Sequence, residues 1–185
     1  PVKAQEMETL SKRQEAIIPI ASMTAKGEIE KLHKALIEGM GAGLSVSEIK
    51  EVLTQLYAYA GFPRSLNALT CFMQVLEERK AKGFVDSEEN DSSTSFKSKS
   101  YEIGNNTHVR LTGSTDKGKV MQFAPAVDYY LKAHLFGDIF GHGNLQETDR
   151  EIVTLSALAS LDGTENQFKS HLRIASNAGV KDSHF

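Results

Sequence analysis

Apolar residues recur at intervals of three and four along most of the chain, which predicts helices rather than strands. Over residues 28–40, Ile29, Leu32, Leu36 and Ile37 mark one helical face, and Gly41 and Gly43 supply the stop. Ser45-Val46-Ser47-Glu48 has the spacing of a capping box, in which Ser45 and Glu48 each satisfy a free backbone donor. It opens a helix with Ile49, Val52, Leu53 and Leu56 on one face, ended by Gly61 and Pro63. Leu66, Leu69, Met73 and Leu76 predict the next helix, ending near Gly83. A further helix precedes residue 28, and Pro19 must kink or divide it.

The pattern breaks over residues 84–119. Residues 87–100 are polar and rich in serine and charge, which predicts a mobile surface loop. Tyr101-Glu102-Ile103 and His108-Val109-Arg110-Leu111 flank Gly104-Asn105-Asn106, the arrangement of a short hairpin. Helical spacing resumes at Pro125, with Val127, Leu131, Leu135 and Ile139 on one face. Thr148 and Glu151 have the spacing of a second capping box, leading into residues 152–159. That run is apolar nearly all round and predicts a helix central to the core. Gly163 ends it, and a last helix runs from about Glu165 to Ala178.

The two ends of the chain repeat one another. Glu15, Ala21, Gly27, Leu36, Ala42 and Gly43 fall on Glu151, Ala157, Gly163, Leu172, Ala178 and Gly179 at a constant offset of 136 residues. The glycines coincide with helix stops that the periodicity requires on its own. The expected organisation is a first repeat over 9–83, a linker over 84–122 and a second repeat over 123–185. The first repeat continues past Gly43 into a third helix, whereas the second stops soon after Gly179. The open face this leaves is expected to be covered by the first copy or by another subunit.

Composition narrows the function classes. A net charge of -3 gives no electrostatic case for nucleic acid. No apolar run reaches the roughly 18 residues of a membrane span. The single cysteine, Cys71, excludes an intrachain disulfide and any C-x-x-C site. The histidines lack H-x3-H spacing, so no metal site is expected. A cytoplasmic location is expected. Export to the periplasm is the alternative, because Val2-Lys3-Ala4 resembles the end of a small-residue cleavage site.

Glu48-Ile49-Lys50-Glu51-Val52-Leu53 leading to Tyr59-Ala60-Gly61-Phe62-Pro63, and Arg150-Glu151-Ile152-Val153-Thr154 followed by Gly163, His171 and Asn177-Ala178-Gly179-Val180, form a combined pattern. It resembles the carboxymuconolactone decarboxylase family. The resemblance implies an all-α fold of the alkyl hydroperoxidase D type, here as two pseudo-repeats around a long central loop, and a homo-oligomer, a trimer or hexamer. It implies no single activity, because the family holds decarboxylases, thiol peroxidases and members of unknown role. The peroxidase branch uses a relay of the form E-x11-C-x2-C-x3-H, and counting back from His171 those positions hold Ile152, Thr164 and Gln167. Neither threonine nor glutamine supplies a thiolate. Cys71, within Leu69-Thr70-Cys71-Phe72-Met73, reads as a buried structural thiol.

The decarboxylase branch therefore fits better. It implies a lyase without metal or organic cofactor, acting on a small carboxylated lactone or enolisable acid. His171 is the candidate proton donor, since an imidazole changes charge near neutral pH. The alternative is a satisfied histidine hydrogen-bonded across the interface between the two copies. Glu151 is a candidate to orient His171 and to cap its helix with Thr148, capping being the more ordinary role and the two not exclusive. Glu51, Tyr59 and Phe62, with Tyr57, are candidates for the pocket wall, although aromatic residues at a helix end more often serve packing. Arg150 or Arg64 is a candidate partner for a substrate carboxylate. A thiol peroxidase and a non-catalytic oligomeric binder of a small ligand are the alternatives.

Overall fold

The computed structural model describes residues 9–86 and 99–181. All regular structure among them is helical. In the first half, α1 (Lys12–Lys26), α2 (Ile29–Gly41), α3 (Val46–Gln55), α4 (Tyr57–Ala60) and α5 (Phe62–Ala81) follow one another through short turns. The second half holds α6 (Ser100–Thr112), α7 (Gly118–Phe123), α8 (Pro125–Tyr130), a π-helix (Leu131–Ile139), α9 (Glu147–Leu158) and α10 (Glu165–Ala178).

Local chemistry accounts for the boundaries of the first half. Glu48 N–H donates to Ser45 Oγ at 3.2 Å, and Ser45 N–H donates to Glu48 Oε2 at 2.8 Å, the reciprocal cap that the sequence predicts. Pro19 lies inside α1 and does not divide it, since the helix runs from Lys12 to Lys26.

The repeat is visible as two helical hairpins, α1–α2 and α9–α10. Gly27 and Gly163 both take φ +76°, so the chain turns the same way at equivalent places. α1 and α9 lie side by side and run in the same direction. Arg13 Nη1 donates to Asp149 Oδ2 at 2.7 Å, and Ser22 Oγ donates to the Ser156 carbonyl at 3.3 Å. Arg13 and Asp149 are themselves 136 residues apart, so the copies meet along equivalent edges.

The largest core joins Ile17, Leu32, Leu53 and Phe72 of the first copy to Ile152, Val153 and Ala157 of α9. A smaller cluster gathers Leu111, Phe136, Ile139, Phe140 and Ile174. A third holds Leu155, Ala175 and Val180. α9 feeds the first and third of these, and α10 feeds the second and third. Side chains directed between α9 and α10 are therefore held by helices anchored in all three clusters.

Two expectations are corrected here. Residues 101–111 form α6, not a hairpin. A Cβ on Gly104 would stand 1.7 Å from the Lys132 carbonyl oxygen, and one on Gly137 would stand 2.1 Å from the Ser100 carbonyl oxygen. Gly104 is thus the point where α6 and the π-helix touch backbone to backbone, not a turn residue. α6 also packs on α10, where Asn177 Nδ2 donates to the Leu111 carbonyl at 2.7 Å. The segment expected to be a linker thus packs against the last helix. The expected mobile loop lies outside the described residues, except for Lys99 and for Ser100, which begins α6.

The second correction concerns Thr148. α9 begins one residue before it, with Gln146 as the cap residue and no side-chain cap. Arg150 N–H already donates to the Gln146 carbonyl at 3.0 Å. Thr148 and Glu151 form no capping box, and the Glu151 side chain is directed inward.

Candidate functional site

Nine of the twelve residues of α9 are buried, among them Asp149, Arg150, Glu151 and Thr154. Burial of so many polar groups in one helix requires partners for each. Glu151 finds its partner on α10: Oε2 lies 2.8 Å from Nδ1 of His171. Its other oxygen, Oε1, is enclosed with no hydrogen-bond partner. With Nδ1–H donating to the carboxylate, Nε2 of His171 is the nitrogen left to act elsewhere.

His171 lines a cavity of about 350 Å³ with Gln167, Ser170 and Ile174 of α10. The opposite walls are His108 and Thr112 of α6, Met121 of α7, Asp128 of α8, and Leu131, Leu135 and Phe136 of the π-helix. Hydrogen bonds in the π-helix step by five residues, as in Phe140 N–H to the Leu135 carbonyl at 2.9 Å. Such segments often mark functional sites. Here the π-helix supplies one wall.

Tyr59 approaches His171 edge-on, with ring centroids 6.0 Å apart, and its hydroxyl is 3.2 Å from Thr154 Oγ1. Burial pushes the Tyr59 hydroxyl well above the ordinary phenol range, and the Glu151 charge adds to this, so the phenol stays protonated.

Arg150 belongs to a different cluster. Its guanidinium is fully enclosed; Nη2 donates to Glu51 Oε1 at 2.8 Å and to the His142 carbonyl at 3.1 Å, and Nη1 donates to Gln55 Oε1 at 3.0 Å. Glu51 Oε2 lies 3.3 Å from His142 Nδ1. Burial lowers the Arg150 guanidinium below its ordinary value, against the pull of Glu51.

The structure thus brings together Glu151, His171 and Tyr59 of the predicted site residues. Glu51 and Arg150 pair with each other away from the cavity lining. Phe62 is 61% exposed and stacks on Tyr57 at 4.3 Å. Neither Phe62 nor Arg150 forms a cavity wall. Cys71 is buried, with its thiol pushed up by burial and then by Glu78, and its Sγ is 3.8 Å from the Ile29 carbonyl oxygen.

Several groups escaped sequence reasoning. Lys132 is almost fully buried, with Nζ 2.9 Å from Asp128 Oδ1, and Lys117 Nζ is 3.4 Å from Asp128 Oδ2. Burial pushes the Asp128 carboxyl up, but the two lysines outweigh it and hold the group below its ordinary range. The i,i+4 spacing of Asp128 and Lys132 was the available signal. His108 was hidden by the hairpin reading.

The model of the Carboxymuconolactone decarboxylase family matches residues 125–184. The similarity spans about a third of the chain and takes in α8, the π-helix, α9 and α10, hence both Glu151 and His171. Comparison with curated proteins gives no significant match. The carboxymuconolactone decarboxylase likeness therefore rests on the second copy, and the single cysteine means that the chain lacks the C-x-x-C motif of the peroxidase branch. Among the described residues, no group of three His, Cys, Asp or Glu side chains is arranged to hold a metal ion. No helix among them is long and apolar enough to cross a membrane.

Proposed function

We propose that the chain is a cofactor-free lyase acting on a small carboxylated lactone or enolisable acid, with His171 as the proton donor. The observation that carries this reading is the His171–Glu151 pair, oriented at 2.8 Å, with the imidazole on the wall of a cavity of about 350 Å³. In the reaction, the bond between the carboxylate carbon and the ring carbon breaks and carbon dioxide leaves. The electron pair passes into the conjugated lactone as a dienolate. The imidazolium of His171 then gives its Nε2 proton to carbon, and solvent restores that proton. Glu151 holds the ring through Nδ1–H and balances its charge, the part an orienting carboxylate plays in acid–base pairs.

Release of carbon dioxide from 4-carboxymuconolactone tests the proposal. His171→Gln is expected to lower turnover by about 10²-fold or more. Unchanged turnover in that variant would remove His171 from the reaction. We also propose a homo-oligomer. In its support, Val120, Phe123 and Tyr130 are strongly exposed large hydrophobic side chains on α7 and α8. Light scattering that gives a monomer at micromolar concentration would reject the oligomer.

A further inference from the structure

The cavity contains a second imidazole that the proton transfer does not use. His108 reaches it from α6, and its ring is held edge-to-face against Phe136 at 5.1 Å between centroids. Its Nδ1 is enclosed with no hydrogen-bond partner. Nε2 is therefore the nitrogen left to meet the cavity. Burial lowers the His108 imidazole below its ordinary value and the nearby Lys132 charge lowers it further, with Asp128 opposing them, so the ring is neutral at pH 7.

The two histidines stand in contrasting surroundings. His171 has a carboxylate against it, whereas His108 has an ammonium group nearby. Groups set apart in this way divide the work of acid–base chemistry between them. A neutral imidazole beside a cation is suited to donate a hydrogen bond without giving up its proton. The acidic residues near this wall are already engaged: Asp128 is held between Lys132 and Lys117, and Asp116 Oδ1 accepts from Gly118 N–H at 3.1 Å. Leu131, Leu135, Phe136 and Ile174 supply the apolar part of the wall, beside polar Thr112, Lys117, Gln167 and Ser170, and that apolar part strengthens a hydrogen bond to developing charge.

We propose that His108 is the oxyanion donor of this cavity, with Nε2–H binding the enolate oxygen that develops while His171 protonates carbon. The cavity should accordingly take planar enolate-like or phenolate-like anions in preference to their neutral counterparts. The pairing of roles rests on the lyase reading, whereas the anion preference can be measured without turnover.

The test is calorimetric binding of 4-nitrophenolate and of nitrobenzene, at a pH where the former is ionised. The intact chain and its His108→Ala and His108→Gln variants are compared, with circular dichroism confirming the fold. The intact chain should bind the anion about tenfold or more tightly than the neutral ring, the scale of one hydrogen bond to a charged group. His108→Ala should bring the two probes to within about twofold, and His108→Gln, which keeps an N–H donor, should retain most of the preference. Failure of the intact chain to prefer the anion, or an equal preference in His108→Ala, overturns the inference. A His108-dependent preference without turnover of any lactone acid would leave this inference standing and reject the lyase. Turnover that depends on His171 with no anion preference would do the reverse.

Discussion

Glu151 and His171, twenty residues apart on adjacent helices, meet through Oε2 and Nδ1 at 2.8 Å, with the carboxylate fully enclosed. Removing the imidazole would strand a buried carboxylate with neither oxygen partnered, which costs about 3–5 kcal/mol. His171→Ala should therefore lose that much stability, and the double variant Glu151→Gln/His171→Ala should recover part of it. Urea unfolding of the four forms measures the coupling. A double variant no more stable than His171→Ala would mean that the stranded charge is not the source of the loss.

Arg150 offers a contrast. It is the link between Glu51, Gln55 and His142, so Arg150→Met should destabilise the fold by about 3–5 kcal/mol by taking the guanidinium from buried Glu51, whose Oε1 then loses its partner while Oε2 keeps His142 Nδ1 at 3.3 Å. Thermal unfolding checks this. A raised KM with unchanged stability would instead return Arg150 to the role of a carboxylate receptor.

Gly104→Ala places a methyl group 1.7 Å from the Lys132 carbonyl oxygen, which the backbones of α6 and the π-helix must separate to admit. It should cost about 3 kcal/mol or more, at the upper end of overpacking. Gly41→Ala meets nothing within 4 Å at the end of α2 and should be neutral or stabilising by about 0.5–1 kcal/mol. Denaturant midpoints of the two variants, measured together, should move in opposite directions or leave Gly41→Ala unmoved.

The pH dependence of stability follows from His108. Its imidazole binds a proton less readily in the folded chain than in the unfolded one, because of burial and the Lys132 charge. Its neutral form is therefore accommodated fully above the unfolded value of about 6.5, and stability is lost as pH falls from there through the lowered folded value. Glu48 and Asp128, both held below their ordinary range in the folded chain, add a further loss in more acidic solution as each is protonated. Comparing urea midpoints at pH 7.5 and 5.5, the wild-type chain should lose more stability than His108→Gln. Equal losses would mean that His108 protonates alike in both states.

Helices and caps could be read from the sequence because they depend on near neighbours. The apolar spacing of Ile49, Val52, Leu53 and Leu56, the reciprocal cap of Ser45 with Glu48, and the stops at Gly27, Gly163 and Gly179 are all contained within a few residues. The repeat and the absence of a thiol relay belong to the same legible layer. Tertiary structure decided what those signals left open. Glu151 had the spacing of a cap, but α9 starts earlier and His171 takes its carboxylate. Arg150 had the chemistry of a substrate receptor, but Glu51, ninety-nine positions away, claims its guanidinium. Gly104 had the look of a turn, yet it is helical, and a glycine is needed there because the Lys132 backbone presses where a side chain would be. In each case a buried polar group or a close backbone contact was satisfied by a residue far along the chain. Such a partner leaves no periodic trace in the local sequence.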